Sequence, residues 1–340
     1  MTAAALTSSA SLEPVPVPPL VAGARFLGWG SALPDRVLGN AELECRLDTT
    51  DRWITERTGI RERRIADDSE TTAGLAVTAG ARALACAGVD PAEVGLVVLA
   101  TTTPDQKMPA TAAAVQAELA IGGGACDLNA VCAGFVHGLH LGLTAVAAGG
   151  LGPVLVIGAD RLTTLVDPDD RGTAILFGDG AGAVVLAPPA AEGGDPASGP
   201  GLLGLDFGTD GTARRYLEVP AGQRYLHMDG REVFRQATRH LVASCRLALD
   251  HAGLTPGDVD LLVPHQANQR IIDHLAAKLG VGPERVKVNL DRVGNTSAAS
   301  VPMALAEAAD AGLLSTGDIV LLTAIGSGLS WGSLVLRWGR

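Results

Sequence analysis

Short apolar runs recur along the chain at residues 96–100, 154–158 and 183–187, and again at 261–263, 319–323 and 333–336. Their apolar residues are consecutive rather than alternate, the pattern of strands covered on both faces. Ala-rich stretches between them read as helices, so the chain is an alternation of strands and helices, an α/β fold.

The pattern also repeats. Ala87-Gly-Val-Asp-Pro-Ala-Glu-Val, running into the strand at 96–99, has a counterpart in Ala252-Gly-Leu-Thr-Pro-Gly-Asp-Val, running into 261–263, at an offset of 165 residues. The same offset relates Gly152-Pro-Val-Leu-Val to Gly317-Asp-Ile-Val-Leu, and lays Cys132-Ala-Gly-Phe-Val on Ser297-Ala-Ala-Ser-Val. Three matches at one offset predict a duplicated α/β plan. Residues 24–190 make the first half and 201–340 the second. The Pro-, Gly- and Ala-rich piece 188–200 reads as a surface connection, and residues 1–23, Pro-rich at 13–19, as a flexible tail. In a duplicated fold the turns before Cys132 and before Ser297 face one another, and a site would assemble there.

Composition narrows the function. Aromatic residues are only 3% of the chain while Gly and Ala are plentiful, which suits tightly packed layers. A net charge of −11 argues against nucleic acid as the main partner. Cys45, Cys86, Cys126, Cys132 and Cys245 are an odd set at spacings of neither a disulfide framework nor a zinc site, so reduced thiols in a cytoplasm are expected. The first 24 residues hold no early Lys or Arg and no compact apolar run, unlike a secretory signal. The uncharged stretch 141–158 has bilayer length, but Gly149, Gly150, Gly152 and Pro153 divide it into a helix and a strand, and no membrane span is expected.

Three residues carry candidate chemistry. Cys132 follows a short strand-like approach and opens an apolar helix that runs to about Ala148. A thiol at a helix's first turn has its ionised form favoured by unpaired N–H groups and the macrodipole, and the same N–H groups can bind a thioester oxyanion. The other four cysteines lack this placement. His265, in Val-Pro-His-Gln-Ala-Asn, stands directly after an apolar strand, where sites of α/β proteins gather. Asn295, in Gly-Asn-Thr-Ser-Ala-Ala-Ser-Val-Pro, precedes another helix, where an Asn is ordinarily a cap. A soft nucleophile, an imidazole and a neutral amide with no paired carboxylate suit a developing enolate better than an attacking water. The Gly-rich segments at 177–183 and 324–332 lack the lysine of a phosphate loop; close sheet packing, or an oxyanion N–H from the second, fits them better. The spacing of His, Cys and Gly supports no metal, nicotinamide or flavin.

Taken together, Ala-Val-Cys132-Ala-Gly-Phe, Pro-His265-Gln-Ala-Asn, Gly-Asn295-Thr-Ser-Ala-Ala-Ser-Val-Pro, Arg57-Thr-Gly-Ile-Arg-Glu-Arg and Phe177-Gly-Asp-Gly-Ala-Gly-Ala strongly resemble β-ketoacyl-acyl-carrier-protein synthase III, of the thiolase superfamily. The resemblance spans residues 24 to 338. It implies a thiolase-like five-layer αβαβα fold, a homodimer and no cofactor, with acyl-CoA and malonyl-acyl-carrier protein as substrates. It implies that Cys132 takes the acyl group, that His265 and Asn295 hold the carbanion left by decarboxylation, and that the backbone N–H groups of Cys132 and Ser327 form the oxyanion hole. Ser327 stands where many relatives have glycine. The resemblance further implies CoA binding by Trp53, Arg57, Arg171 and Asn268. Trp53 and Arg57, four apart on a helix that ends at Gly59, share a face. Arg231, Arg235 and Arg239 form a stripe at helical spacing that, with Arg270 and Lys278, would dock an acidic carrier protein. Met108 occupies a position that closes the acyl pocket of the neighbouring subunit, where many relatives have Phe; a flexible Met there favours a primer longer or more branched than acetyl.

Three other functions share parts of this pattern. A degradative thiolase needs a second cysteine where this chain has Ala324. An enzyme that moves an acyl group to another acceptor without condensation would also need Cys132 and His265, but Asn295 favours carbanion chemistry. A non-catalytic partner subunit would typically have lost the nucleophile.

Overall fold

The computed structural model describes residues 23–189 and 199–340. The expected tail, except Gly23, and most of the expected connection at 188–200 lie outside the described residues.

The strands of the main sheet in the first half are β1 (Arg25–Ala32), β2 (Leu96–Ala100), β3 (Gly124–Leu128), β4 (Val154–Arg161) and β5 (Asp179–Ala187), in the order β1-β5-β4-β2-β3. Those of the second are β6 (Gly201–Thr209), β7 (Leu261–Pro264), β8 (Ile319–Gly326) and β9 (Ser330–Arg337), in the order β7-β8-β9-β6. In both sheets parallel pairing at one end gives way to antiparallel pairing at the other.

The helices of two turns or more are α1 (Asp51–Thr58), α2 (Thr72–Ala87), α3 (Thr111–Glu118), α4 (Gly134–Ala148), α5 (Gly230–Ala252), α6 (Gln269–Leu279) and α7 (Ser300–Asp310). Strand periodicity sorts their partners. Val154 and Val156 of β4 face inward and join a core with Phe135 and Leu139 of α4, Val301 and Leu305 of α7, and Val320 and Leu322 of β8. The alternate residues Leu155 and Ile157 face outward onto Ala76, Ala79 and Ala83 of α2. In the second sheet Leu321 and Val335 face outward onto Leu241, Leu249 and Leu275 of α5 and α6. The result is five layers, helix–sheet–helix–sheet–helix, with α4 and α7 buried in the middle. The consecutive apolar runs exist because each strand of this core must feed two different layers.

The middle layer is tightly spaced. A Cβ at Gly182 of β5 would fall 2.6 Å from the backbone N of Met303 in α7, so glycine is what lets that strand and helix touch. Residues Val131–Ala148 are apolar and long enough to cross a bilayer, yet 56% of that stretch is buried inside the protein. Gly149, Gly150 and Gly152, all at positive φ, end α4 and lead into β4 at Val154, as their clustering predicts.

The duplication is visible element by element. Gly88 and Gly253 close α2 and α5 with φ of 66° and 67°, and 3-10 turns Pro91–Glu93 and Pro256–Asp258 lead into β2 and β7. At the two central turns the register differs from the predicted offset by one residue. The 3-10 turns are Val131–Ala133 and Ser297–Ala299, entered by Val131 at φ 50° and Ser297 at φ 51°. Cys132 therefore corresponds to Ala298, and Val131 to Ser297. The sequence match set Cys132 on Ser297 because small residues fill both turns and hide a one-residue shift.

Candidate active site

The two central turns meet in the middle of the molecule. A Cβ on Gly134 would lie 3.6 Å from Cβ of Ala298. Asp160, fully buried at the end of β4, ties them to the strand ends. Its Oδ1 accepts from Thr101 Oγ1 (3.1 Å), Thr102 N (2.7 Å), and Thr103 N and Oγ1 (3.1 and 3.0 Å), while Oδ2 accepts from Ala298 N (3.1 Å). Such saturation is what a carboxylate inside a protein needs.

Cys132 is the middle residue of its turn and is 4% exposed. Gly326, the last residue of β8, lies against it: a Cβ there would be 2.7 Å from Cys132 N and 3.0 Å from Ala130 O. Glycine at 326 thus leaves the Cys132 N–H uncovered. The thiol does not have the lowered pKa expected at a helix start. Burial pushes it up to about 12, and the Asp160 carboxylate pushes the same way. The Ser297 hydroxyl offsets only part of this and no cation among the described residues joins it, so the resting residue is a neutral thiol.

His265 follows β7, its N–H bonded to Thr323 O at 2.8 Å and its Nδ1 2.6 Å from Ser300 Oγ. Burial pulls the imidazole down to about 4, so it is neutral at physiological pH. Asn295 is held by backbone bonds to Leu176 O (2.9 Å) and from Gly178 N (3.0 Å). Its Oδ1 accepts from Ser297 N at 2.9 Å. Capping is therefore only half its role, because the NH2 edge of the amide remains for the cavity. Cys132, His265 and Asn295 all line one cleft, together with Phe177, Asn268 and Gly326.

A second cavity also reaches Cys132. Its wall is apolar, with Leu162, Leu165, Leu226 and Val219, and Ser327 closes it next to the nucleophile turn. The Ser327 hydroxyl donates to Leu217 O. Met108 lines neither cavity at Cys132 and is 82% exposed on the single chain.

Asn268 connects the first cleft to the surface. It caps α6 by accepting from Arg270 N (2.9 Å), and its Nδ2 donates to Arg57 O (3.1 Å). Arg57 and Arg171 lie 5.5 and 5.0 Å from the centroid of the Trp53 ring, so two guanidinium groups flank one indole. Helix α1 ends at Gly59 with φ 82°, as its sequence predicts.

On α5, Arg231, Arg235 and Arg239 are exposed, but Arg235 is held by Glu232 at 2.6 Å, so the stripe is less basic than its sequence suggests. Arg270 packs over the Phe234 ring at 5.5 Å.

Arg63, in the same quoted motif as Arg57, was not singled out from sequence. It is fully buried and donates to Leu38 O, Asn40 Oδ1 and Ile175 O, each at 2.9 Å. Desolvation lowers its pKa to about 10. It braces the segment that carries Phe177 into the cleft. Its signal was the density of arginines in 57–63, which pattern alone cannot separate from a solvated charge run. Among the described residues, no group of three or more His, Cys, Asp or Glu could hold a metal ion.

Comparison with known proteins agrees with this geometry. Residues 126–211 match the family model described as 3-oxoacyl-[acyl-carrier-protein (ACP)] synthase III, and residues 249–338 match its C-terminal counterpart. The chain is 47% identical over 330 residues to the β-ketoacyl-[acyl-carrier-protein] synthase III of Roseiflexus sp. (strain RS-1), covering 93% of this chain and 98% of that one. It superposes on the crystal structure of 3-oxoacyl-[acyl-carrier-protein] synthase III from Aquifex aeolicus VF5 with a TM-score of 0.88 at 44% identity, covering 93% of this chain and 100% of that one. The priming β-ketosynthase of the R1128 polyketide pathway is similar too, with a TM-score of 0.87 at 40% identity and coverages of 96% and 99%. With this fold, and with a cysteine, a histidine and an asparagine on one cleft, the chain belongs to the β-ketoacyl-[acyl-carrier-protein] synthase III family.

Proposed function

We propose that this protein joins an acyl-CoA primer to malonyl-acyl-carrier protein by decarboxylative condensation, releasing CoA, CO2 and a 3-ketoacyl-carrier protein at the start of fatty-acid or polyketide synthesis. The observation that carries this reading is the shared cleft of Cys132, His265 and Asn295, in which the imidazole is neutral and the amide keeps its donor edge.

In the first half-reaction Sγ of Cys132 attacks the thioester carbonyl. The carbonyl oxygen gains charge against the backbone N–H groups of Cys132 and Ser327, the bond between the carbonyl carbon and the CoA sulfur breaks, and the thiol proton finishes on the departing CoA sulfur. In the second, the malonyl carboxylate leaves as CO2, and its electron pair becomes an enolate whose oxygen is held by His265 and Asn295. The enolate carbon attacks the acyl-Cys132 carbonyl and the thiolate is expelled, taking up a proton from solvent to return to the neutral thiol. Neutral donors suit this task because they stabilise charge only as it develops. The alternative, acyl transfer to another acceptor, would call for a base beside the incoming nucleophile, and a buried neutral imidazole of low pKa is a poor one.

Trp53, Arg57, Arg171 and Asn268 would hold the CoA nucleotide and lead its arm to Cys132; the flanked indole and the link from Asn268 to Arg57 support this. No resident cofactor enters the scheme. A homodimer is supported by β3, an edge strand bonded only to β2, with Gly124 and Cys126 exposed. In that dimer Met108 would reach the partner's acyl pocket. A cytoplasmic setting fits the reduced cysteines. Arg231, Arg235 and Arg270 would dock the carrier protein, and Arg231 takes the larger share because Glu232 already engages Arg235. Arg231→Glu should raise KM for malonyl-carrier protein about tenfold and leave acyl loading intact; equal loss of both would remove this patch from docking.

The apolar cavity beside Cys132 supports a primer longer or more branched than acetyl. Intact-protein mass spectrometry after incubation with acetyl-, isobutyryl- and hexanoyl-CoA should show one acyl adduct on Cys132, with the larger groups loading faster. A strict acetyl preference would refute the primer, and no adduct at all would refute the function.

A further inference from the structure

His265 Nδ1 lies 2.6 Å from the hydroxyl of Ser300, the first residue of α7. Ser300 is 1% exposed, and among the described residues its hydroxyl has no other hydrogen-bond partner. A serine hydroxyl has one hydrogen to give and an imidazole one ring nitrogen that can accept it. If Nδ1 carried the ring proton, Ser300 would have to accept, and its own O–H would be buried without an acceptor. If Nδ1 is bare, Ser300 donates and no donor is wasted. Leaving a buried donor unsatisfied is costly enough to bias the two tautomers about tenfold or more.

We propose that Ser300 is a positioning residue: its hydroxyl donates to Nδ1 of His265 and so fixes the imidazole as the Nε2–H tautomer, a donor and not a base towards the cleft. The consequence is specific. Nε2–H and the Asn295 amide are then two donors converging on one cavity, and His265 cannot accept the Cys132 proton. This rests on the condensation reading for its chemical meaning, though the tautomer itself is a property of the resting protein.

The test uses Ser300→Ala, Ser300→Thr and 15N-histidine-labelled protein, with the His265 resonances assigned by their loss in His265→Gln. The wild type should show the nitrogen-shift pattern of an Nε2–H imidazole, and Ser300→Ala a mixture of both tautomers. Ser300→Ala should lower kcat for condensation roughly ten- to a hundredfold, with acyl loading and KM for malonyl-carrier protein near wild type. Ser300→Thr, which keeps the hydroxyl, should restore both readouts. An Nδ1–H pattern in the wild type would overturn the proposal, as would an unchanged tautomer in Ser300→Ala or equal loss of loading and condensation. Should the wild type condense no acyl group at all while the tautomer shifts as described, the functional reading fails and the role of Ser300 stands.

Discussion

The two central turns are built alike and equipped differently. Val131–Ala133 and Ser297–Ala299 are both 3-10 turns, each entered at a φ near 50° and each opening a buried helix. The first carries a single reactive group, Cys132, among Ala and Val. The second, Ser297-Ala-Ala, has polar neighbours instead: Asn295, Thr296 and Ser300 flank it, all buried like Ser297. On the proposed function, a duplicated backbone supplies two equivalent loops, one holding the nucleophile and the other Asn295 and the serine that contacts His265. The separation predicts that damage to the first turn stops everything, whereas damage to the second stops only the carbon–carbon bond.

The largest effect should come from testing that division directly. Cys132→Ala should abolish both acyl loading and condensation, a fall on the order of 10^4-fold or more. Asn295→Asp is the sharper probe of the opposite turn, because it keeps the oxygen that accepts from Ser297 N and replaces the donor with a negative edge. Condensation should fall roughly 10^2- to 10^3-fold with loading preserved. If Asn295→Asp blocks loading as severely as Cys132→Ala, the two turns do not divide the work.

Much of this was legible before any coordinates. The strand positions and the duplication follow from consecutive apolar runs and a repeated offset, and the joining of Cys132, His265 and Asn295 from their places at strand ends and helix starts and from the family resemblance of their motifs. The ionisation state of Cys132 was not legible, because sequence reports the helix start but not the depth of burial or the nearness of Asp160, 28 positions away. The one-residue shift between the turns was hidden by small residues on both sides. Ser300 lay inside a quoted motif, but nothing in the order of residues places its hydroxyl against a histidine 35 positions earlier. Packing distances decide such matters, and periodicity does not encode them.

Acid should act on the second half of the site first. His265 has a folded-state pKa near 4 against an ordinary 6.5. Between those values the unfolded chain binds a proton that the native chain refuses, so stability falls as pH drops from 6.5 towards 4 and is fully present above 6.5. The stake is about 3 kcal/mol. Chemical denaturation at pH 7 and pH 4.5 should show the loss, and His265→Gln should lose less over the same interval. An equal loss in the variant would place the acid sensitivity elsewhere. Condensation should stay insensitive to pH down to about 4, since only then does the imidazole gain the proton that changes its role.

The smallest effect tests whether the two left-handed entry residues are equivalent. Ser297 is fully buried; its hydroxyl has no well-formed hydrogen bond, but it lies close enough to the Cys132 thiol and Asp160 to favour their ionised forms against burial. Ser297→Gly would relax a φ of 51° and remove a buried polar atom without a well-formed hydrogen bond, against the loss of its weak contacts to Cys132 and Asp160 and the extra chain entropy that glycine loses on folding. The balance favours the variant by about 1 kcal/mol, a rise in Tm of roughly 2 °C. Val131 has the same φ but is half-buried in both a cavity wall and the turn. Val131→Gly gains the same relaxation and forfeits apolar contact, so its stability should change little or fall. Calorimetry of the two variants would then rank them in opposite directions from the wild type. A fall in Tm for Ser297→Gly would mean that the second turn stores no strain, and that its polar residues sit there at no cost to the fold.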